Sequence, residues 1–467
     1  MLEGLEVSVL LYSRIKTNDF GRIDSEFFLK KYLKSEMILK LKGIKTISQI
    51  SIVTDGEHGS PDLDENSGII YLSGNNIKDN YIDLDNVRFC SEILHNNNLR
   101  STIKKNNVLM SIVGTVGKAS IVDFDILGNT DRNVATIKNI SQEINPYYLS
   151  IFLNSHYGKY QTERFSTGNV QPLLNLLQVK SIIISNLDLD FQKKIEFVFK
   201  EKQQKINKSK YLYTQAEQLL LEELGLKDWQ PSTENINSKS FKESFLATGR
   251  LDAEYYQPKY EDILNHLQKF NTKKLGDVVD IKKSIEPGSD AYQESGIPFI
   301  RVTNISKQGI TDTDIHLERS EYQTYELKPK KDTILLSKDG SVGIAYKVEK
   351  DLDLITSGAL LHLSVIDNEF LPDYLTLVLN SLIVRLQAER DAGGSIIQHW
   401  KPSEIEQVVI PLLDIDKQQE ISSLIQESFV LKHQSEHLLE VAKRAVEIAI
   451  EEDEEKAIEY INQNTKQ

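Results

Sequence analysis

The sequence predicts an α+β fold: two similar mixed domains in tandem, separated by two long antiparallel helices that pair as a coiled coil. Three observations predict it. Whole segments recur about half the chain apart, as tandem copies of one domain require. Within each copy, short β-branched runs broken by Gly, Asn, Asp and Pro alternate with helical stretches. After each copy comes a stripe of apolar residues at four- and seven-residue steps.

The recurrences keep one order. Gly21-Arg22-Ile23-Asp24-Ser25-Glu26-Phe27-Phe28 returns as Gly249-Arg250-Leu251-Asp252-Ala253-Glu254-Tyr255-Tyr256, 228 positions on. The glycine loop Leu109 to Gly117 (LMSIVGTVG) returns as Leu335 to Gly343 (LLSKDGSVG), 226 positions on. Asn145-Pro146-Tyr147-Tyr148-Leu149, running to Leu153-Asn154-Ser155, returns at the same spacing as Leu371-Pro372-Asp373-Tyr374-Leu375, running to Leu379-Asn380-Ser381. A near-constant offset means few net insertions between the copies.

Each copy reads as a helical stretch (26–41, 254–270), strand-like runs (68–72, 297–302) and the glycine loop. A helix then starts at Pro146 or Pro372, where proline fixes φ without losing a needed donor. A Gly-Gln segment and a final apolar strand (179–184, 407–412) close the copy, giving mixed α+β with a curved sheet. The organisation expected is an N-terminal segment completing a repeat (1–20), a first domain (21–188), a central long helix (189–227), a linker (228–248), a second domain (249–413) and a C-terminal long helix with an acidic tail (414–467).

In the first helix Ile195, Phe199, Ile206, Tyr213 and Leu220 form the stripe; in the second, Leu424, Leu431, Leu438 and Ala445 do. They suit pairing with each other or packing on their own domains, and the equivalent placement favours pairing. The chain begins partway through a repeat: Leu2-Glu3-Gly4-Leu5 ahead of Gly21 is similar to Glu222-Glu223-Leu224-Gly225-Leu226 ahead of Gly249. Such a repeat closes into a pseudo-two-fold, circular arrangement, with the C-terminal helix returning toward the N-terminus.

Composition bounds the function. The 467 residues suit two domains plus connectors, and 40% hydrophobic with 27% charged content is ordinary for a soluble protein. The single cysteine, Cys90, excludes a disulfide framework or a cysteine-based metal site and fits a reducing, cytoplasmic setting. No apolar run approaches the ~20 residues that span a bilayer, so no membrane partner is expected. The first residues make a poor signal peptide. The net charge of −14 opposes phosphate binding. However, half of it lies in 414–467, with 13 acidic and 6 basic residues, while 193–210 holds seven Lys and two Glu.

Three catalytic patterns almost occur. Asn145-Pro146-Tyr147-Tyr148 is close to the Asn-Pro-Pro-Tyr tetrad of adenine-N6 methyltransferases, but lacks the second proline, its counterpart is Leu371-Pro372-Asp373-Tyr374, and no glycine-rich cofactor loop follows a strand. Gly114 to Ala119 resembles a phosphate loop, yet Ile112 and Ala119 stand where Gly and Ser or Thr are needed. His433 and His437 are spaced i, i+4 in a coiled-coil-like stretch without acidic ligands that the other copy shares. The sequence therefore predicts a chain with no catalytic residues, no metal site and no cofactor of its own.

The duplicated domains, the two helices and three paired motifs together resemble the DNA-specificity (S) subunits of Type I restriction–modification systems. The motifs are the Leu-x-Ser-x-x-Gly-[Thr/Ser]-Val-Gly loop, the Gly-Gln segment (Gly168-Asn169-Val170-Gln171; Gly394 to Gln398) and the helix starts Gln192-Lys193-Lys194-Ile195 and Gln418-Gln419-Glu420-Ile421. The resemblance covers nearly the whole chain. Of the prolines in the family's Pro-Leu-Pro-x-x-Glu-Gln helix start only Pro411 remains, and Phe191 and Lys417 replace the acid.

The resemblance implies two target-recognition domains, each reading half of a bipartite double-stranded DNA site in the major groove. The helices would set the spacer and dock two methyltransferase subunits that bind S-adenosylmethionine. Restriction/translocase subunits using ATP and Mg would join them. Two other readings are kept: the chain is itself a DNA methyltransferase, or it is a duplicated scaffold without DNA. Candidate DNA contacts are Gly117, Lys118, Arg132, Arg164, Asn169, Gln171, Arg301, Ser341, Ser395, Gln398 and Lys401. The glycines serve equally as turns needing positive φ, the amides as helix caps, and the arginines as surface ion pairs. Candidate partner-docking residues are Ile195, Phe199, Ile206, Tyr213, Leu220, Leu424, Leu431 and Leu438. The loops 55–67 and 282–296 differ most between copies, and there different bases would be read.

Overall fold

A computed structural model describes residues 8, 10, 20–168, 170–234, 236–323, 325–394 and 397–465. The chain forms two compact units, one of Met1–Lys205 with His433–Gln467, the other of Ile206–Lys432.

The first unit opens with α1 (Lys30–Leu41). The sequence predicted helix from residue 26, but Leu29 is extended and separates α1 from a short turn at Glu26–Phe28. Then come β1 (Ile52–Asp55), β2 (Ile70–Leu72), β3 (Arg88–Phe89), β4 (Thr102–Ile103), β5 (Val108–Ser111), β6 (Ala119–Ile121), β7 (Gly128–Thr130) and β8 (Val134–Lys138). One antiparallel sheet has the order β1-β8-β5-β6. A second has the order β3-β2-β7-β4, with β2 and β7 parallel. Helices α2 (Pro146–Asn154) and α3 (His156–Phe165) follow. The expected final strand shrinks to Ile183–Ser185, because Asn175 and Gln178 cap each other and start a helical turn at Leu176–Lys180. That is an Asx-x-x-Gln capping box.

The long α4 (Leu189–Glu223) comes next. The second unit contains α5 (Pro258–Leu267), β9 (Val279–Lys283), β10 (Ile297–Ile300), β11 (His316–Leu317), β12 (Ile334–Ser337), β13 (Ala345–Lys347), β14 (Ile355–Thr356) and β15 (Leu360–Val365). Its antiparallel sheet is β9-β15-β12-β13, and its second sheet is β11-β10-β14 with β10 and β14 parallel. Helices α6 (Pro372–Leu379) and α7 (Leu382–Asp391) precede the long α8 (Ile415–Glu451) and α9 (Glu454–Asn464). Here too the predicted opening helix starts late, since residues before proline avoid helical backbone and Gln257 precedes Pro258.

The two units share register as well as order. Leu109 faces Thr136 in the first, and Leu335 faces His362 in the second, a shift of 226 for both partners. Side-chain amides, all buried but the half-buried Asn380, hold equivalent joints. Asn154 donates to Ala119 O (2.7 Å) and accepts from its N–H; Asn380 does the same with Ala345. Gln161 bridges both backbone groups of Ile183, and Gln387 those of Val409. Gln192 accepts from Asn145 N (2.7 Å) and donates to Leu187 O (2.8 Å); Gln418 repeats this with Leu371 and Leu413. The paired Gln of each helix start thus ties a long helix to its own globular part.

The recurring Gly-Arg-x-Asp opening is also structural. Arg22 and Arg250 each chelate the Asp two residues on and donate to carbonyls at the end of α3 (Ser166) or α7 (Asp391).

The long helices run antiparallel within each unit. In the first, Ser435 Oγ donates to Lys202 O, and Ile195, Val198 and Phe199 share a core with Leu438, Val441 and Ala445. In the second, Ser428 Oγ donates to Ser209 O, and Tyr213, Ala216 and Leu220 share a core with Ile421, Ile425 and Phe429. This is the predicted coiled-coil pairing, with serines where the backbones come closest. The C-terminal segment completes the first unit: Ala449, Ile450, Ala457 and Ile461 lie in its core. Asp453 breaks the predicted single helix by capping the N-terminus of α9.

Glu447 fastens α8 to α3. Burial alone would raise its pKa, but hydrogen bonds from His156 (Nδ1 at 2.8 Å, N–H at 3.1 Å) and from Arg444 hold it at about 2, below the usual 4.5. A depressed carboxyl contributes stability above the unfolded pKa and loses it as pH falls toward the folded one. Denaturation of wild type and Glu447→Gln should show a gap at pH 5.5 that closes as pH drops from about 4.5 toward 2; a gap that widens on acidification contradicts this.

Replacing Gln418 by Leu leaves the Leu371 N–H and Leu413 C=O without their partner. We expect a loss of about 2–4 kcal/mol in denaturant titration. A loss below about 0.5 kcal/mol would mean that the joint is not structural.

Candidate nucleic-acid interface

In each unit two loops lie against one another. The first is the glycine loop after β5 or β12; Ser111 and Ser337 close it by accepting on their carbonyls from Gly117 N and Gly343 N, both at 2.9 Å. The second is a tight hairpin in which Thr167 pairs with Leu173, or Gly393 with His399. The loops join through Gly114 N to Pro172 O (3.0 Å) and Gly340 N to Gln398 O (2.9 Å).

Glycine is required at the hairpin tip. Gly168 has φ +95° and Gly394 φ +122°, and a Cβ would sit 2.5 Å from Gln171 O or 2.0 Å from Ile397 O. The tips reach solvent: Val170 is fully exposed and Ile397 half-exposed. Apolar groups beside Gln171 and Gln398 give each tip a mixed surface of methyls and amide donors and acceptors. That combination suits base edges and thymine methyls.

The structure sorts the sequence-predicted residues. Gln171, Gln398, Ser341 and Lys401 are exposed around these loops, although Lys401 Nζ lies 3.2 Å from Glu404. Asn169 and Ser395 lie outside the described residues. Lys118 is half-buried and gives its carbonyl to Ser111 N. Gly117 is buried; with φ +89° and a Cβ position 2.5 Å from Thr162 Oγ1, it lets the loop pack on α3. Arg132 and Arg301 are exposed, and among the described residues neither forms an ion pair.

Arg164 is not at the surface. Its guanidinium donates to Phe27 O and Glu36 (both 2.8 Å), lies over the Phe27 ring and is one-tenth exposed. Burial would raise the Glu36 carboxyl, but Lys40 and Arg164 outweigh it and lower its pKa. Arg164 therefore holds α3 to α1. The docking stripe is corrected likewise. Ile195, Phe199, Tyr213, Leu220 and Leu438 are buried in their own units, and Ile206, Leu424 and Leu431 are half-buried. The five buried residues spend their apolar surface inside their own units, and only part of Ile206, Leu424 and Leu431 reaches the surface.

One residue escaped sequence reading. Arg88 on β3 lies over the Tyr71 ring (5.2 Å) and shares with Arg132 a shallow depression of about 340 Å³ floored by Tyr71. The pairing of Tyr71 with Arg88 across β2 and β3 is the signal, and it is visible only once strands are registered. Burial, with Asp131 nearby, pushes the Tyr71 hydroxyl up to about 12, so it stays neutral. In the second unit burial and Lys282 push His362 down to about 4, so it too is uncharged near neutrality. Among the described residues no cluster of His, Cys, Asp and Glu could hold a metal ion, and no helix is long and apolar enough to cross a membrane.

Removing a partner from a buried ion pair leaves a desolvated charge. Arg164→Ala should cost about 2–4 kcal/mol in denaturant titration while leaving any DNA sequence preference unchanged. A stable variant with altered preference would restore Arg164 as a contact.

Comparison with known proteins adds the following. Residues 268–437 match the model of the Type I restriction modification DNA specificity domain. A stretch of 135 residues is 30% identical to the Type I restriction enzyme EcoBI specificity subunit of Escherichia coli, covering 29% of this chain. The chain spans about a quarter (28%) of that relative's length in the match. Among solved structures, a Type I restriction-modification S subunit from M. genitalium is 14% identical with a TM-score of 0.42, covering 88% of this chain and 95% of its own. The HsdS subunit from Thermoanaerobacter tengcongensis is 14% identical with a TM-score of 0.29, covering 88% and 97%.

Proposed function

We propose, for a chain whose residues 268–437 belong to the Type I restriction modification DNA specificity family, that each unit reads one half of a bipartite double-stranded DNA target. The chain lends that choice to enzymes it does not contain. The observation that carries this reading is the repeated frame: two units keep the same strand registers, amide joints and paired loops, while the side chains presented on them differ. A scaffold for protein partners alone has no need of two matched loop pairs with exposed tips.

The helices supply the spacing. α4 has 35 residues and α8 has 37, so each is about 50–55 Å long. One DNA turn is about 34 Å. Within each unit, large apolar side chains and a serine pack the two helices together.

Methyltransferase subunits, two in number, would dock on the outward faces of the helices rather than on the buried stripe. Exposed Phe197 and Tyr211, two heptads apart on α4, and exposed Val430 on α8 are among the apolar groups available there. Those subunits would bring S-adenosylmethionine and the chemistry; restriction/translocase subunits would bring ATP and Mg. Bound partners would also add positive field to a chain of net charge −14. The setting is the cytoplasm, where DNA and these partners meet.

Inserting seven residues at matched positions in α4 and α8 lengthens the rods by about 10 Å, or about three base pairs. Mapping of modified bases, with methyltransferase subunits present, should show a spacer longer by about that amount and both halves unchanged. Altered bases at an unchanged spacer would refute the ruler.

A further inference from the structure

The second sheets of the two units offer a residue-by-residue comparison at one place in the frame. In the first unit β2 pairs in parallel with β7 and antiparallel with β3, and Tyr71 faces both Asn129 and Arg88. In the second, Phe299 faces Ile355 on β14, and its N–H donates to Ile315 O beside β11. The flanking bridge repeats as well: Glu57 pairs with Asp131, and Ile285 with Ser357. Arg132 N donates to Glu57 O (2.9 Å), and Gly358 N donates to Ile285 O (2.7 Å). Arg88, Arg132 and Asp131 thus correspond to Ile315, Gly358 and Ser357.

The backbone is shared and the chemistry is not. The first unit has two exposed guanidiniums at the depression of about 340 Å³, while the second has an aliphatic side chain and a hydrogen at the same two places. Among the described residues neither arginine is neutralised by an ion pair. Arg88 is steadied by the buried Tyr71 face, and Arg132 by its backbone bond to Glu57. Both guanidiniums favour the charged form of Asp131, but the nearby carboxylates hydrogen-bond elsewhere. Asp131 accepts from Asn133 N and Nδ2 (2.9 and 3.2 Å), and Glu57 from Gly59 N and Asn98.

A phosphate is anionic and accepts only, so carboxylates beside the arginines oppose it. Donors set beside carboxylate acceptors instead match a G·C pair, which shows the guanine O6 and N7 acceptors and the cytosine amino donor in the major groove. Resting on the DNA-reading function proposed above, we infer that Arg88 and Arg132 form a guanine-reading site peculiar to the first unit. The two half-sites then differ by a G·C requirement set by this pair of guanidiniums, because the second unit has none here and fills the space beside Gly358 with the Glu286 and Lys283 side chains.

The test uses the full chain with its methyltransferase subunits. Mapping modified sites for wild type first defines the bipartite sequence; no sequence-dependent modification at all would defeat the parent reading rather than this one. Arg132→Ala and Arg88→Ala are then mapped. We expect at least one variant to accept other bases at a single G·C position of one half, with the other half unchanged. Discrimination there should fall by roughly 10- to 100-fold. Unaltered targets for both variants, or relaxation spread over both halves, overturns the inference. If a variant modifies nothing, binding is measured on target DNA carrying 7-deazaguanine, which lacks the N7 acceptor, at each guanine in turn. Wild type should lose affinity at one guanine and the variant should be indifferent there; equal losses for both proteins, or none for wild type, also overturn it.

Discussion

The frame of both units rests on buried and half-buried side-chain amides standing in for backbone. Asn154, Gln161 and Gln192 in one unit, and Asn380, Gln387 and Gln418 in the other, each satisfy a donor and an acceptor of a strand end or helix start. An unpaired buried backbone group is costly, so a joint that needs two such bonds tolerates little else than Asn or Gln. The joints fix how the short helices sit on the strands and how each long helix leaves its globular part. Freedom is left at the exposed positions of the frame, and there the two units diverge.

The helices extend this logic. Each unit packs its own stretch of the two helices with its own core residues, as Phe199 with Leu438 and Tyr213 with Phe429 show. The apolar stripe that marks a coiled coil in sequence is therefore consumed internally. What remains for partners is the opposite face, where Phe197, Tyr211 and Val430 are exposed.

Much of this was legible in the sequence, because repetition at 226–228 residues exposes a frame without any structure. The tandem domains, the recurring glycine loop and Gly-Gln segment and the antiparallel rods follow from it. What escaped depends on contacts between distant residues. Arg164 reads as a surface cation until Glu36, 128 positions away, is brought against it. The strand expected from residue 179 gives way to the Asn175–Gln178 capping box, a local signal that apolar runs obscured. Arg88 matters only once β3 lies beside β2, a pairing that no spacing rule announces. Gly117 was read as a DNA contact or as a turn needing positive φ; its φ is +89°, and the space a Cβ would take is filled by Thr162, a contact the sequence did not announce.

The central claim is that two copies of one frame each read half of a DNA target. Replacing 249–413 by a second copy of 21–188 tests it directly, since the shared joints should accept the exchange. With methyltransferase subunits present, the account predicts modification of a symmetric bipartite sequence made of the first unit's half-site twice, inverted about the spacer. A hybrid that folds and assembles, yet still modifies the original asymmetric sequence, would contradict it.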